Sequence, residues 1–470
     1  MQPKPVRAGQ SISNEYFNIT FDGPGATATV TNLKSGVSER IAIDVGFYNS
    51  SVGGCTPGVG SWADNERQQQ QPGARGRREE YEYGMDDAVL IDGDGDFACD
   101  GQKSGAYIFR PNNTMVWPAA CTEGDCNAVP KVEVHSSSLV SEAYVTYADW
   151  ATVVVRLVAG VNRVEVEYTV GPIPQENFEG GSPYLQGKEV VLRYNTTIRS
   201  DSRFYADSNA REMVERKYNR RGPSYPDPYQ ISEPAAGNYY PVNALMALED
   251  KERSIGFSVA VDRSMGGASL SSGSLELMVH RRTQADDSRG VGQPMNETMC
   301  GCRDQDPNNI GQCGCVGLII KGVNYLYLDN IANTNAARRA GSEDLNFAPL
   351  VAFSSSNATK PSMSGLGQDL PANVKLMTLG LVSPQYNDRV FLRLAHLFEA
   401  GEHPELSKSV NVSLTAVFAK QGLTIVSAEE VSLTGNRTPQ ELEKAKLKWP
   451  VAGEEVQMPK VRRFCVCVCV

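Results

Sequence analysis

Long apolar runs are missing from this sequence. No stretch approaches the ~18 consecutive apolar residues that a helix needs to cross a bilayer, so a helical membrane span is excluded. Positive charge is in deficit too: 45 Lys and Arg stand against 55 Asp and Glu, a net charge of −10. The basic residues are scattered, and the densest cluster (Arg75, Arg77 and Arg78) lies beside Glu79 and Glu80. A phosphate-binding face, and with it a nucleic-acid partner, is excluded. Histidine is scarce. The four are His135, His280, His396 and His403, and none forms H-x-D, H-x-H or H-E-x-x-H with a neighbour, which argues against a catalytic zinc held by this chain. His280 reads instead as a strand side chain. Neither G-x-S-x-G nor G-x-x-x-x-G-K-[ST] occurs, so neither an elbow nucleophile nor a phosphate-cradling loop is encoded.

What is present reads as a secreted globular protein. Hydrophobic residues make up 41% and charged residues 21%, and 470 residues favour two or three domains. N-x-S/T sequons occur at Asn18, Asn49, Asn112, Asn195, Asn296, Asn357, Asn411 and Asn436. Eight cysteines (Cys55, Cys99, Cys121, Cys126, Cys300, Cys302, Cys313 and Cys315) lie in Gly/Asp/Asn-rich loops, where disulfides of secreted proteins occur. The first residues, MQPKPVRAGQS, lack the apolar core of a signal peptide. The two observations agree if the natural N-terminus lies upstream of Met1, and a truncated chain is the expectation.

The dominant pattern is period-two alternation rich in β-branched residues. In RVEVEYTV, Val164, Val166, Tyr168 and Val170 share one face and Glu165, Glu167 and Thr169 the other. Segments 26–33, 144–160, 189–198, 254–262 and 274–282 read similarly, with turns at Ser35-Gly36, Ala159-Gly160 and Ser272-Gly273. Helical signals are few. The best is TPQELEKAKLKW (438–449), with Thr438 as N-cap and Pro439 at the first helical position. Segment 388–401 reads as a strand followed by a short helix. Many strands with few crossover helices predict an all-β protein of antiparallel sandwiches. A large sandwich is expected over 1–400, with insertions near 64–80, 296–316 and 354–373, and a small one over 401–470. Alternating Cys and Val could form a final strand and are also what a GT repeat encodes; an edge strand through Arg463-Phe464 is expected, its last residues coming from a repeat or a gene-model error.

Two other clusters invite a metal. Cys300-Gly-Cys302 and Cys313-Gly-Cys315 offer four thiols, but C-x-C spacing in a secretory context favours disulfides over structural zinc. Asp92, Asp94 and Asp96 have calcium-loop spacing, yet Phe97 stands where the loop needs glycine and Lys103 where it needs glutamate, so a solvated turn is the reading.

The segments SGAYIFRPNNT (104–114), VEVEYTVGPIP (164–174), GKEVVLRYNTTI (187–198), RFYADSNAREM (203–213), EPAAGNYYPVN (233–243), DRSMGGASLSSGSLELMVHRR (262–282) and ADDSRGVGQPMNET (285–298) run in one order along the chain. Together with SVNVSLTAVF and LEKAKLKW, they closely resemble the C-terminal region of glycoside hydrolase family 38 α-mannosidases of the lysosomal type. Nothing in the chain resembles the family's N-terminal catalytic domain.

The resemblance implies a galactose-mutarotase-like supersandwich followed by a small sandwich. It implies part of a retaining exo-α-mannosidase that removes terminal α-mannose from N-glycan oligosaccharides in the lysosome or vacuole. Zinc, nucleophile and acid/base are expected only in the N-terminal domain, the chain's expected partner, so this chain alone is expected to be inactive. By motif, Tyr107 of SGAYIF and Arg289 of DDSRGVGQ match pocket-wall residues that approach the bound sugar. Without the resemblance, Tyr107 reads as a buried strand aromatic, and Arg289 as a surface ion pair with Asp286 or Asp287. RFYADSNAREM and GNYYPVN read as a hydrogen-bonded seam between the sandwich and the catalytic domain, or as part of a sugar site. A stand-alone carbohydrate-binding or interaction module is the alternative.

Overall fold

The computed structural model describes residues 10–22, 26–51, 102–112, 114–121, 129–174, 176–177, 185–222, 233–290, 292–298, 316–355, 362–383, 386–421, 424–447 and 465–469. The Asp-rich turn at 92–97, the loop at 68–80 and the paired cysteines at 300–315 lie outside them. The chain divides into two units, Met1–Asn346 and Phe347–Val470.

The first unit holds two antiparallel sheets of nine strands each. One runs in the order Gln10–Ser13, Phe17–Phe21, Thr27–Asn32, Ser38–Asn49, Lys188–Thr196, Ser274–Arg282, Met265–Ala268 and Tyr240–Val242, with Trp117–Pro118 paired to the fourth strand. The other runs Glu212–Lys217, Arg203–Ser208, Leu245–Asp250, Ile255–Val261, Ile320–Asn330, Val164–Val170, Ala151–Val158, Val140–Ala148 and Lys131–Ser136. Alternation decides which side chains go inside. Ile19, Phe21, Ile41, Ile43, Leu192 and Leu275 from the first sheet join Val155, Val166, Phe257 and Leu328 from the second in one buried apolar cluster. Each buried side chain of this size stabilises the fold by roughly 1.5–3 kcal/mol.

The expected strands are present, with the turn glycines Gly36, Gly160 and Gly273 all at positive φ. Segment 144–160 differs. It is two strands, because the chain reverses at Asp149–Trp150 and pairs Ala148 with Ala151. A helix not expected from the sequence, α1 (Ile331–Asn346), contacts Ile255–Val261 and Ile320–Asn330 of the second sheet. Its inner face is polar (Thr334, Asn335, Arg338, Arg339), so it lacks an apolar stripe. It is admitted by close approach: a Cβ on Gly341 would sit 1.5 Å from the Tyr327 hydroxyl.

The second unit is a four-stranded antiparallel sheet in the order Val374–Ser383, Tyr386–His396, Cys465–Cys469, Ser427–Val431. The expected domain boundary at 400 falls inside it, because the strands at 374–396 pair here rather than with the large sandwich. Segment 388–401 gives the strand but no helix. The tail strand is internal rather than at an edge, pairing on both sides. Two short helices follow the second strand in sequence: α2 (Leu414–Phe418) and α3 (Pro439–Ala445). In α3, Thr438 is the N-cap as expected, and with Glu441 it forms a capping box.

Candidate functional site

The outer face of the first sheet is built differently from its inner one. Along Lys188–Thr196, Val190, Leu192 and Tyr194 point into the core, which leaves Glu189, Val191 and Arg193 on the opposite face. On the neighbouring strand, Leu275 and Leu277 are core residues, and Glu276 and Met278 face outwards. Strict alternation would then turn Arg281 inwards. A register shift between Val190 and Val191 intervenes, so Arg281 stands opposite Glu189 on the outer face. The Arg281 guanidinium donates to Glu189 Oε1 from Nε at 2.9 Å.

This buried ion pair anchors the loop that carries SGAYIF. The Ser104 hydroxyl donates to Glu189 Oε1 at 2.6 Å and accepts the Arg110 N–H at 2.9 Å. Arg281 Nη2 donates to the Ile108 carbonyl at 2.8 Å. Burial raises the Glu189 carboxyl above its ordinary range, with Arg281 pulling the other way. Below the loop, Phe109 meets Tyr48 and Tyr239 edge-on at 5.5 and 4.9 Å, and the Tyr48 hydroxyl donates to buried Glu276 at 2.7 Å.

The second loop, 283–290, meets the first through Asp287, which is buried. Asp287 Oδ2 accepts the N–H of Tyr107 at 2.6 Å and of Ile108 at 2.9 Å, and Oδ1 accepts the N–H of Arg289 at 3.1 Å. Burial pushes this carboxyl up, but those donors and nearby Arg281 outweigh it and hold it below the usual 3.8. Gly105 makes the contact possible: a Cβ there would lie 2.7 Å from the Asp287 nitrogen.

Tyr107 and Arg289 are thus brought together, on two loops joined by one carboxylate. Tyr107 is not a buried strand aromatic; it lies in the loop, 62% exposed. Arg289 is exposed too, and its guanidinium bonds the Gln102 side-chain oxygen rather than Asp286 or Asp287. Gly290 lies beside the Tyr107 ring, where a Cβ would be 3.8 Å from Cε2. The result is an aromatic face and a planar fork of donors displayed from a rigid base, the means by which proteins hold vicinal hydroxyls.

RFYADSNAREM and GNYYPVN meet each other. Buried Asp207 accepts the N–H groups of Asn243, Ala244 and Leu245 at 2.9–3.0 Å, and Arg216 stacks on Tyr240 at 4.4 Å. Their polar residues stitch the second sheet's edge to the first sheet's last strand. Among the described residues no group of three or more His, Cys, Asp or Glu is arranged to hold a metal ion. His280 lies in its strand, with Nε2 3.2 Å from the Leu318 carbonyl.

The first unit is thus an antiparallel two-sheet sandwich on whose first sheet two loops meet at Asp287. Residues 95–289 match the model of the glycosyl hydrolases family 38 C-terminal domain. The chain is 35% identical over 462 residues to the lysosomal alpha-mannosidase of Homo sapiens, covering 95% of this chain and 37% of that protein. It is 35% identical over 378 residues to an alpha-mannosidase of Canavalia ensiformis, covering 79% of this chain and 35% of that one. An alpha-mannosidase structure from Enterococcus faecalis aligns over 84% of this chain and 37% of its own, at 10% identity and a TM-score of 0.48. Residues 95–289 therefore belong to the C-terminal domain of glycosyl hydrolase family 38. It spans about a third of the length of the curated relatives it matches. Among the described residues no helix is long and apolar enough to cross a membrane.

Proposed function

We propose that this chain is the β-sandwich part of a retaining exo-α-mannosidase that removes terminal α-mannose from N-glycan oligosaccharides, and that Tyr107 and Arg289 form one wall of its sugar pocket. The observation that carries the reading is their exposed placement on two loops pinned to one buried carboxylate. The Tyr107 ring offers an apolar face with a hydroxyl at its tip, and Arg289 offers donors in a fixed plane. Zinc, nucleophile and acid/base belong, on this reading, to the catalytic domain with which the sandwich works. A lysosomal or vacuolar setting suits the reading, since the relative from Homo sapiens is lysosomal. Cys121 is disulfide-bonded, in keeping with an oxidising route. Glycan, if carried, fits exposed Asn411 and Asn436 rather than Asn296, which is buried and bonded to Arg282.

The alternative is a carbohydrate-binding module acting alone, favoured by an exposed aromatic and guanidinium on a scaffold without a metal cluster among the described residues. One experiment separates the two. Purified residues 1–470, tested on an aryl α-mannoside from acid to neutral pH with and without zinc, are expected to show neither turnover nor mannoside binding. Zinc-dependent turnover contradicts the proposal, and binding without turnover establishes the module.

A further inference from the structure

We propose that Asp287 is a positioning residue that sets Tyr107 and Arg289 as a single preformed pair. This deepens the pocket-wall reading and rests on it. A carboxylate at this point has no solvent to face, and its bonds go to backbone N–H groups of the two sugar-facing loops: Tyr107 and Ile108 on one, Arg289 on the other. The coupling has a second strand. Gln102 donates to the Asp287 carbonyl at 3.1 Å, and its side-chain oxygen accepts the Arg289 guanidinium. Arg289 is therefore fixed at both ends, its main chain by the Asp287 carboxylate and its guanidinium by Gln102.

The loop geometry requires such a tie. Ser288 takes φ 59° and Gly290 φ 137°, backbone conformations that L residues adopt at a cost, and the Asp287–Arg289 bond spans the first of them. Gly105 lets the two loops approach to this distance. From below, Ser104, Glu189 and Arg281 hold the first loop but make no bond to Arg289. Asp287 is the group that bonds both exposed side chains' own residues. A loosened pair would still present tyrosine and arginine, but not at one spacing, and effective positioning is steeply sensitive to displacement.

The test is a mutant cycle in an enzyme that joins this chain to a family 38 catalytic domain. Asp287→Ala is expected to lower kcat/KM by about 10- to 100-fold in the parent, but by less than about threefold once Tyr107→Phe and Arg289→Ala are both present. A merely structural role moves kcat/KM by the same factor in both backgrounds, and that result overturns the proposal. If Tyr107→Phe and Arg289→Ala are themselves silent while Asp287→Ala is not, the pocket-wall reading fails by a different signature. Should Asp287→Ala not fold, Asp287→Asn, which keeps one acceptor oxygen, carries the same cycle. Gly105→Ala disturbs the contact with the carboxylate intact and is expected to reproduce the non-additivity; full additivity there also contradicts the proposal. Hydrogen exchange supplies the independent readout: the Tyr107, Ile108 and Arg289 amides should exchange faster in Asp287→Asn while strand amides do not, and unchanged loop amides count against it.

Discussion

The inner and outer faces of the first sheet are held by opposite means. Inside, alternating side chains from two sheets build one apolar cluster that contains Phe17, Ile43, Leu248 and Phe257. Outside, the buried groups under the loops include Glu189, Glu276 and Asp287: Asp287 accepts loop N–H groups, Glu276 accepts the Tyr48 hydroxyl, and Glu189 takes its donors on Oε1 while its Oε2 has none among the described residues. The apolar face is tolerant of which hydrophobe it holds, since burial is non-directional. The polar face is not, because a buried carboxylate that loses a partner bears its full desolvation. The inner face gives the fold its stability, and the outer gives two side chains their position.

The largest expected effect breaks the inner face. Phe257→Ala should lower the first unit's stability by about 3–5 kcal/mol in denaturant unfolding, as removal of a wholly buried aromatic does. Phe418→Ala in the second unit should fall at the low end of that range, because among the described residues its cluster of buried residues is Leu392, Val417 and Phe418. Equal losses would mean that the two cores are packed alike.

Next comes Arg281→Ala, which strands Glu189 without its guanidinium and should cost about 3 kcal/mol at neutral pH. The pH dependence gives the sign. The Glu189 carboxyl is raised by burial even with Arg281 present, so its contribution worsens as pH climbs through the usual 4.5 towards the folded value. Without Arg281 it rises further, and the gap to the parent should narrow as acid protonates Glu189. A gap that stays constant to about pH 4 would show that Arg281 acts by packing alone.

Asp287→Asn is the smaller and opposite case, at about 1–3 kcal/mol for bonds to a charged acceptor. This carboxyl is held below 3.8, so its contribution is present above that pH and is lost as pH falls through the lower folded value. The gap between variant and parent in thermal unfolding should hold from neutral pH to about 4 and close only in stronger acid. Closure near about pH 5 would mean that the backbone donors do not hold the charge.

The contrast between faces also explains what is legible in the sequence alone. Strands obeying strict alternation, such as Val164–Val170, are visible because both faces have one character each. The proposed site residues Tyr107 and Arg289 are reached only through resemblance to a family, since nothing local distinguishes an exposed loop tyrosine from a buried one. Glu189 and Arg281 stay hidden because a one-residue register shift swaps the face of everything beyond it. Asp287 is visible only as a possible ion-pair partner of Arg289, whereas it serves the backbone. Helix α1 has no apolar stripe to betray it, because it docks through glycines and buried polar groups.

On the proposed function, two exposed side chains held by a polar base touch the sugar. The direct test is kcat/KM on an α-mannoside for Tyr107→Phe and Arg289→Ala in an enzyme that includes the catalytic domain. Loss of a partner for a bound hydroxyl should lower kcat/KM by about one to two decades, with thermal unfolding and zinc content unchanged. Parental kcat/KM in both variants would contradict the account and leave the sandwich a scaffold.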